Sequence, residues 1–206
     1  DKPPTQAVQS RHNETPHLTR VMQESVRTAL ILLLGPETEY AARVRATRRL
    51  ARQGPAILPL VLATLNSHSE ISSPPWPWWP PQYEHTSRLL IQLGHKAELP
   101  LDALLHHHAV TQPVGSVLWT SIMEAAGLLA QFDYEELLRN GLDAPWMSVR
   151  YSAAMSLAMR ANKATLQAAT LEALRRHQSE HEEFPVRLTA SYALLCNGES
   201  VGIDAL

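Results

Sequence analysis

DAPWMSVRYSAAMSLAM, residues 143–159, is the stretch from which the fold of this 206-residue chain is predicted. After a turn that contains a proline, small and apolar side chains follow one another at helical spacing. Four other stretches, which begin at Val44, Glu84, Val117 and Val186, resemble its part from Val149 onward. Counted from these starting residues, the five stretches recur every 32 to 40 residues. A repeat length in this range is typical of stacked supersecondary units.

The first four of these stretches are each followed by a second segment with helical character. A further helix is predicted from Leu18 onward, and Gly35-Pro36 provides its stop signal. The second segments are Ala56 to Leu65, Pro100 to His107, Tyr134 to Leu142 and Lys163 to His177. No stretch alternates like a β-strand for a convincing length. The sequence therefore predicts an all-α solenoid of about five helix hairpins, in which stacking buries apolar faces that one hairpin alone would expose.

A family resemblance adds to this prediction. Residues 143–159 carry an acid at Asp143 and the pair Val149-Arg150, and the same pair recurs at Val44-Arg45 and Val186-Arg187. This pattern resembles the HEAT repeat, in the short form first named for phycobilisome lyases, over residues 37 to 206. The resemblance implies a right-handed, armadillo/HEAT-like superhelix. We also expect one arginine per unit, at positions 45, 150 and 187, to pack between units against a carboxylate. The middle units lack the pair, having Glu84-His85 and Val117-Leu118 instead.

The chain is divided by composition. Residues 1–17 are polar, contain three prolines and are predicted to be a loose leader. Residues 18–206 form the predicted solenoid domain. It is interrupted at 72–83 by SSPPWPWWPPQY, whose five prolines predict an extended, non-helical insertion. The C-terminal GESVGIDAL begins another apolar segment, so we expect a fragment of a longer repeat protein.

Composition and charge restrict the possible partners. The 18 basic and 20 acidic side chains leave a formal charge of -2, which argues against nucleic acid or an anionic membrane as the partner. No apolar run approaches the roughly 20 residues that cross a bilayer. The single cysteine, Cys196, cannot form a disulfide within the chain, and this favours a cytoplasmic location.

Two groups of residues are candidates for binding a partner. The first is the indoles of Trp76, Trp78 and Trp79 in the insertion, which would either anchor a peptide or fold back over the core. The second is an arginine face on one predicted helix: Arg45, Arg48, Arg49 and Arg52. Four guanidinium groups on one face can grip phosphates or an acidic peptide, and the alternative is a face that is merely solvated.

Two histidine-rich strings are candidates for metal sites. His177 to His181 reads HQSEH and matches the H-x-x-E-H spacing of inverted zinc peptidases, but Glu199 is the sole downstream candidate for a third ligand. The alternative for this string is a solvated helix end. Residues 106–108 are three consecutive histidines, which point about 100° apart on a helix and cannot close a tetrahedral site. We therefore predict no metal ligands, cofactor or catalytic residues.

These observations favour a non-enzymatic role. The expected function is a scaffold or adaptor that binds a protein partner, or other domains of the same polypeptide, on the solenoid surface. The alternative is an enzyme, either a HEAT-like, nucleic-acid-binding DNA glycosylase or a zinc hydrolase that uses the HQSEH string.

Overall fold

The computed structural model describes residues 18–68, 81–129 and 133–200. Within these ranges the chain is all-helical, with ten α-helices and no strand, which confirms the predicted all-α class. The helices are α1 Arg20–Leu34, α2 Tyr40–Arg52, α3 Leu58–Ser67, α4 Pro81–Lys96, α5 Leu101–Leu105, α6 Ser116–Leu128, α7 Glu135–Leu142, α8 Met147–Ala161, α9 Ala168–Arg176 and α10 Phe184–Cys196. A 3-10 turn, Pro55–Ile57, leads into α3. None of these helices is both long and apolar enough to cross a membrane.

The first helix forms where the sequence predicts it. The Thr19 hydroxyl caps its N-terminus by accepting a hydrogen bond from the Met22 amide at 3.3 Å. The helix ends at Leu34, immediately before the predicted Gly35-Pro36 stop. The leader predicted at residues 1–17 and the last six residues of the chain lie outside the described residues.

Five helices pack side by side in chain order. α2 contacts α4, α4 contacts α6, α6 contacts α8, and α8 contacts α10. The intervening helices pack on this row: α3 and α5 contact α6, α7 contacts α8 and α9, and α9 contacts α10. Apolar side chains from all ten helices form one continuous buried cluster. Of the hairpin partners predicted from sequence, α4 contacts α5 and α6 contacts α7.

The same burial pattern recurs in the five helices of the row. In each helix the residues at i, i+3 and i+4 are buried when i is taken as Arg43, Tyr83, Val117, Val149 or Val186. We call these starting residues anchors, and the last three are the starting residues predicted from the sequence. In the first two units the predicted anchors, Val44 and Glu84, are one residue too late. Because one residue turns a helix by about 100°, this slip changes which side chains face the core.

Arg43 occupies the first anchor position with a buried guanidinium group. It is only 3% exposed, and its Nη2 donates hydrogen bonds to the carbonyl oxygens of Gly35 at 2.6 Å and Pro36 at 3.1 Å. Burial lowers the pKa of this guanidinium. The expectation that Arg45 packs between units against a carboxylate is wrong, because the shifted register leaves Arg45 exposed. The buried arginine of this unit satisfies carbonyls at the end of α1 instead.

Small polar residues allow neighbouring helices to approach closely. The hydroxyl oxygens of Thr86 on α4 and Ser121 on α6 lie 2.6 Å apart. Ser156 on α8 donates to the Met123 carbonyl on α6 at 2.9 Å. Close to this bond, a Cβ added to Gly127 would lie 2.4 Å from Ser156 Oγ, so no side chain fits there. These contacts fix the spacing of α4, α6 and α8.

The insertion predicted at residues 72–83 overlaps the first residues of α4. Its last three residues, Pro81–Tyr83, form the start of α4, so the prediction that the whole stretch is non-helical is wrong at its C-terminal end. A proline is tolerated there because the first amides of a helix have no intrahelical acceptor. Tyr83, in the first turn of α4, is fully buried. The rest of the insertion lies outside the described residues.

Candidate functional site

The four arginines of the predicted face are all exposed on α2. Arg49 donates from Nη2 to the Ser25 hydroxyl of α1 at 2.8 Å. Arg45, Arg48 and Arg52 make no side-chain hydrogen bond or ion pair with any other described residue. The helix therefore brings these positive charges together on its outer side, as the sequence indicates. The other predicted site, Trp76, Trp78 and Trp79, lies outside the described residues.

The HQSEH string does not form the helical arrangement that a zinc site of this type requires. α9 ends at Arg176, so the string follows the helix rather than lying on it. His177 has its Nδ1 2.6 Å from Glu182 Oε2 and its Nε2 3.5 Å from Asp143 Oδ1, while His181 is exposed. Across the described residues, no group of three or more His, Cys, Asp or Glu side chains is arranged to hold a metal ion.

The three consecutive histidines lie at the end of α5, as the sequence predicts. His106 is the C-terminal cap of this short helix. The rings of His107 and His108 lie 4.1 Å apart, and burial together with the charge of His108 lowers the pKa of His107. His106 also lines a surface feature that local sequence patterns do not predict.

That feature is a groove formed by two adjoining cavities between α5, α6, α7 and the segment that leads into α8. The first cavity, of about 380 Å³, is lined mainly by Trp119, Trp146 and the loop at residues 112–114. The second, of about 330 Å³, is lined by Asp102, Asp133, Tyr134 and Glu136. Both cavities share four lining residues: Leu105, His106, Leu137 and Asn140. We call the two together the tryptophan groove.

The apolar end of the tryptophan groove is built around two indoles. Trp119 lies in the first turns of α6 and Trp146 is the N-terminal cap of α8, and their ring centroids are 6.2 Å apart with an edge-to-face angle of 76°. Pro113 and Pro145 line the same cavity. The Trp119 indole N–H is buried and has no hydrogen-bond acceptor among the described residues. Rigid aromatic and proline rings give this end a shape that is set before any ligand arrives.

A single amide side chain holds the loop at the rim of this cavity. Asn66 on α3 donates to the Thr111 carbonyl at 3.0 Å and accepts from the Gly115 amide at 2.7 Å. A Cβ added to Gly115 would lie 2.1 Å from the Asn66 carbonyl oxygen, so only glycine fits at this contact. The loop that carries Pro113 and Val114 is thereby fixed to α3.

The other end of the tryptophan groove is acidic. Asp133 is paired with Arg160 at 3.0 Å, and Glu136 lies 3.9 Å from an Arg139 nitrogen. Asp102 makes no ion pair within the described part of the chain. None of the described residues that line either cavity is a lysine or arginine. Asp102 is therefore the carboxylate at this end that is left to pair with a cation from a ligand.

A smaller apolar cavity of about 240 Å³ lies on another part of the helix row, across α4, α6 and α8. Leu128, Met155 and Met159 line it, together with the carboxylate of Glu124 and the phenol of Tyr151. Burial, assisted by the negative charge of Glu124, raises the pKa of Tyr151. This cavity is less than the roughly 300 Å³ at which ligand pockets commonly begin.

The groove residues carry no local signal that sequence reasoning can use. They come from four segments between residues 102 and 146, and the two tryptophans are separated by a whole helix. The clue available in sequence was the placement of Trp119 and Trp146 near the starts of two successive repeated helices.

No family model, curated protein or solved structure matches the chain.

Proposed function

We propose that the chain is a non-enzymatic, HEAT-like module that binds an extended segment of a partner protein in the tryptophan groove. The observation that carries this proposal is the pair of edge-to-face indoles, Trp119 and Trp146, at the wall of one of two neighbouring cavities. Tryptophan is among the residues that contribute most to protein interfaces, since it offers a large rigid surface. Each part of the groove has the volume of a ligand pocket.

The geometry suits a polypeptide segment. Asn140 lines both cavities, and its side chain offers a donor and an acceptor that match the backbone groups of an extended chain. The walls are preformed, because Trp119 and Trp146 belong to helices whose packing is fixed by close contacts such as Gly127 against Ser156. A preformed surface loses little conformational entropy on binding.

The proposal includes a right-handed solenoid of stacked hairpins as the scaffold. Its support is the chain-order packing of α2, α4, α6, α8 and α10 and the burial pattern that recurs in all five. Stacked hairpins present a long surface on which a partner protein, or another domain of the same polypeptide, can lie. The proposed location is the cytoplasm, where a lone cysteine such as Cys196 is ordinary.

Selection from a random twelve-residue peptide library tests this function. Peptides are selected on the wild-type protein and screened against Asn140→Arg, which places a long side chain where the two cavities meet. The matched control is Gln92→Arg, which makes the same charge change at an exposed position on α4. We expect selected peptides to bind the wild type and the control equally and to lose binding to Asn140→Arg. Selected peptides that bind all three proteins alike would contradict the proposal.

A second candidate function rests on the arginine face of α2. Three of its guanidinium groups have no partner among the described residues, which is the arrangement that a phosphate backbone would use. A nucleic-acid-binding enzyme would therefore contact its substrate here. The test is binding to a labelled DNA duplex at low salt by wild type and by Arg48→Glu/Arg52→Glu. Salt-sensitive binding that this variant abolishes would support the second candidate, and no binding by the wild type would remove it.

A further inference from the structure

The apolar end of the tryptophan groove fits one kind of peptide backbone particularly well. Its lining includes four rings: the indoles of Trp119 and Trp146 and the pyrrolidines of Pro113 and Pro145. Proline-rich segments dock in aromatic-lined grooves because proline rings pack on indole faces. Such segments are already extended before they bind, so little further ordering is required.

The acidic end provides the second element of specificity. Asp102 and Glu136 lie there with Asp133, and Asp102 is the carboxylate without an ion-pair partner among the described residues. A guanidinium or ammonium group placed beside Asp102 would form a charge-assisted hydrogen bond. An acidic side chain at the same place would be repelled by Asp102, the carboxylate that no described cation neutralises.

The two ends of the groove are close enough for one short peptide segment to contact both. Leu105, His106, Leu137 and Asn140 line both cavities, so a segment that crosses these four residues can contact the indoles and the carboxylates together. We infer that the tryptophan groove selects a proline-containing segment that carries a lysine or arginine beside the proline, an inference that rests on the proposed peptide-binding function. The proline packs on Trp119 and Trp146, and the cation lies at Asp102.

Three fluorescein-labelled peptides of equal length test the inference by fluorescence polarisation. The first contains Pro-Pro-Ala-Pro-Arg, the second replaces the arginine with its neutral isostere citrulline, and the third replaces the prolines with alanine. We expect the first to bind most tightly and each replacement to weaken binding about tenfold, since each removes one of the two contacts. Affinity for the first peptide should also fall as salt is raised, because a charge pair contributes to it.

Protein variants assign the cation to its carboxylate. Asp102→Asn should weaken binding of the arginine peptide about tenfold and leave the citrulline peptide unchanged, because a neutral ligand gains nothing from the charge. Glu180→Gln, which removes an exposed carboxylate from the turn after α9, is the matched control and should leave both affinities unchanged. Both positions are exposed, so circular dichroism is expected to show the wild-type helical content in each variant.

The outcomes separate this inference from the function on which it rests. Equal binding of the arginine and citrulline peptides to the wild type would overturn the inference. The groove would still be a peptide site if that binding were lost in Asn140→Arg. If none of the three peptides binds and library selection also yields no peptide sensitive to Asn140→Arg, both proposals are wrong. A synthetic peptide with the sequence of residues 69–80, which has prolines but no cation, is a further arm. Tighter binding of this peptide than of the arginine peptide would overturn the inference and identify the chain's own segment as the occupant.

Discussion

Arg150 on α8 donates hydrogen bonds from Nε and Nη2 to the same carboxylate oxygen of Glu182, at 3.2 and 3.1 Å. The guanidinium also binds the Ala144 carbonyl at 2.8 Å and pairs with Glu183. The two side chains are 12% and 9% exposed, so this ion pair is largely shielded from water. It connects α8 to the turn before α10, so Arg150 packs against a carboxylate, as expected.

We expect Arg150→Met to destabilise the protein strongly. The substitution leaves the shielded Glu182 carboxylate without its cation, and breaking a buried pair from one side costs about 3 kcal/mol or more. Urea denaturation followed by circular dichroism gives the change in the free energy of unfolding. The control is Arg175→Met, which removes the more exposed pair with Glu199 and should produce a clearly smaller loss. Equal losses in the two variants would show that the Arg150 pair is not shielded as described.

Glu182 makes stability depend on pH in the acid range. Burial acts to raise its pKa, but hydrogen bonds with Glu183, His177 and Arg150 outweigh burial and lower the pKa to about 2. Since the ordinary value is 4.5, the unfolded chain takes up this proton first. The stability that the ionised Glu182 carboxylate contributes is therefore complete above about pH 4.5, and it is lost as the pH falls toward about 2.

We expect Glu182→Gln to lose stability at neutral pH and to show a shallower decline on acidification than the wild type. The free energy of unfolding, measured in urea between about pH 5 and about pH 3, gives this slope. Parallel slopes for the two proteins would mean that Glu182 is not the group responsible.

Gly127 should not tolerate even a methyl group. Alanine favours a helix over glycine by about 1 kcal/mol, so an unconstrained site would gain stability. Here the added Cβ would lie 2.4 Å from Ser156 Oγ and 3.2 Å from the Ser156 Cα, so α6 and α8 must separate. Overpacking of this kind costs about 1–3 kcal/mol. We expect Gly127→Ala to lower the thermal midpoint in calorimetry, and a raised midpoint would contradict the close packing of these helices.

Asn66 should affect both stability and binding. Its amide makes the contacts that hold the loop at residues 111–115, and this loop carries Pro113 and Val114 of the tryptophan groove. We expect Asn66→Ala to cost about 1–3 kcal/mol, because the Gly115 amide loses its acceptor. Affinity for a groove-selected peptide should fall as well. Ser67→Ala, at the exposed neighbouring position, is the control for both measurements.

The sequence predicts the fold where helical period and turn signals agree. α1 is an example, since its apolar period and the Gly35-Pro36 stop both lie within two residues of the observed helix ends. The register fails in the first two units because Arg43 and Tyr83 occupy positions that are valine elsewhere. A buried arginine cannot be recognised from local pattern, because the carbonyls that satisfy it belong to residues 35 and 36.

Less of the candidate site than of the fold could be predicted from the sequence. The arginine face of α2 is a property of one helix, so a helical wheel is sufficient to find it. The tryptophan groove depends on how α5, α6 and α7 pack, and on the loop that Asn66 holds 45 residues along the chain. Residues brought together by tertiary packing have no fixed spacing in sequence.

The most direct measurement of the central claim is a cross-linking map. A peptide selected from the library, carrying a photoreactive benzophenone, is irradiated on the wild-type protein, and the attached residues are identified by mass spectrometry. We expect cross-links within residues 105–114 and 137–146, which contain much of the groove wall. Cross-links concentrated on the arginine face of α2, residues 45–52, would contradict the central claim.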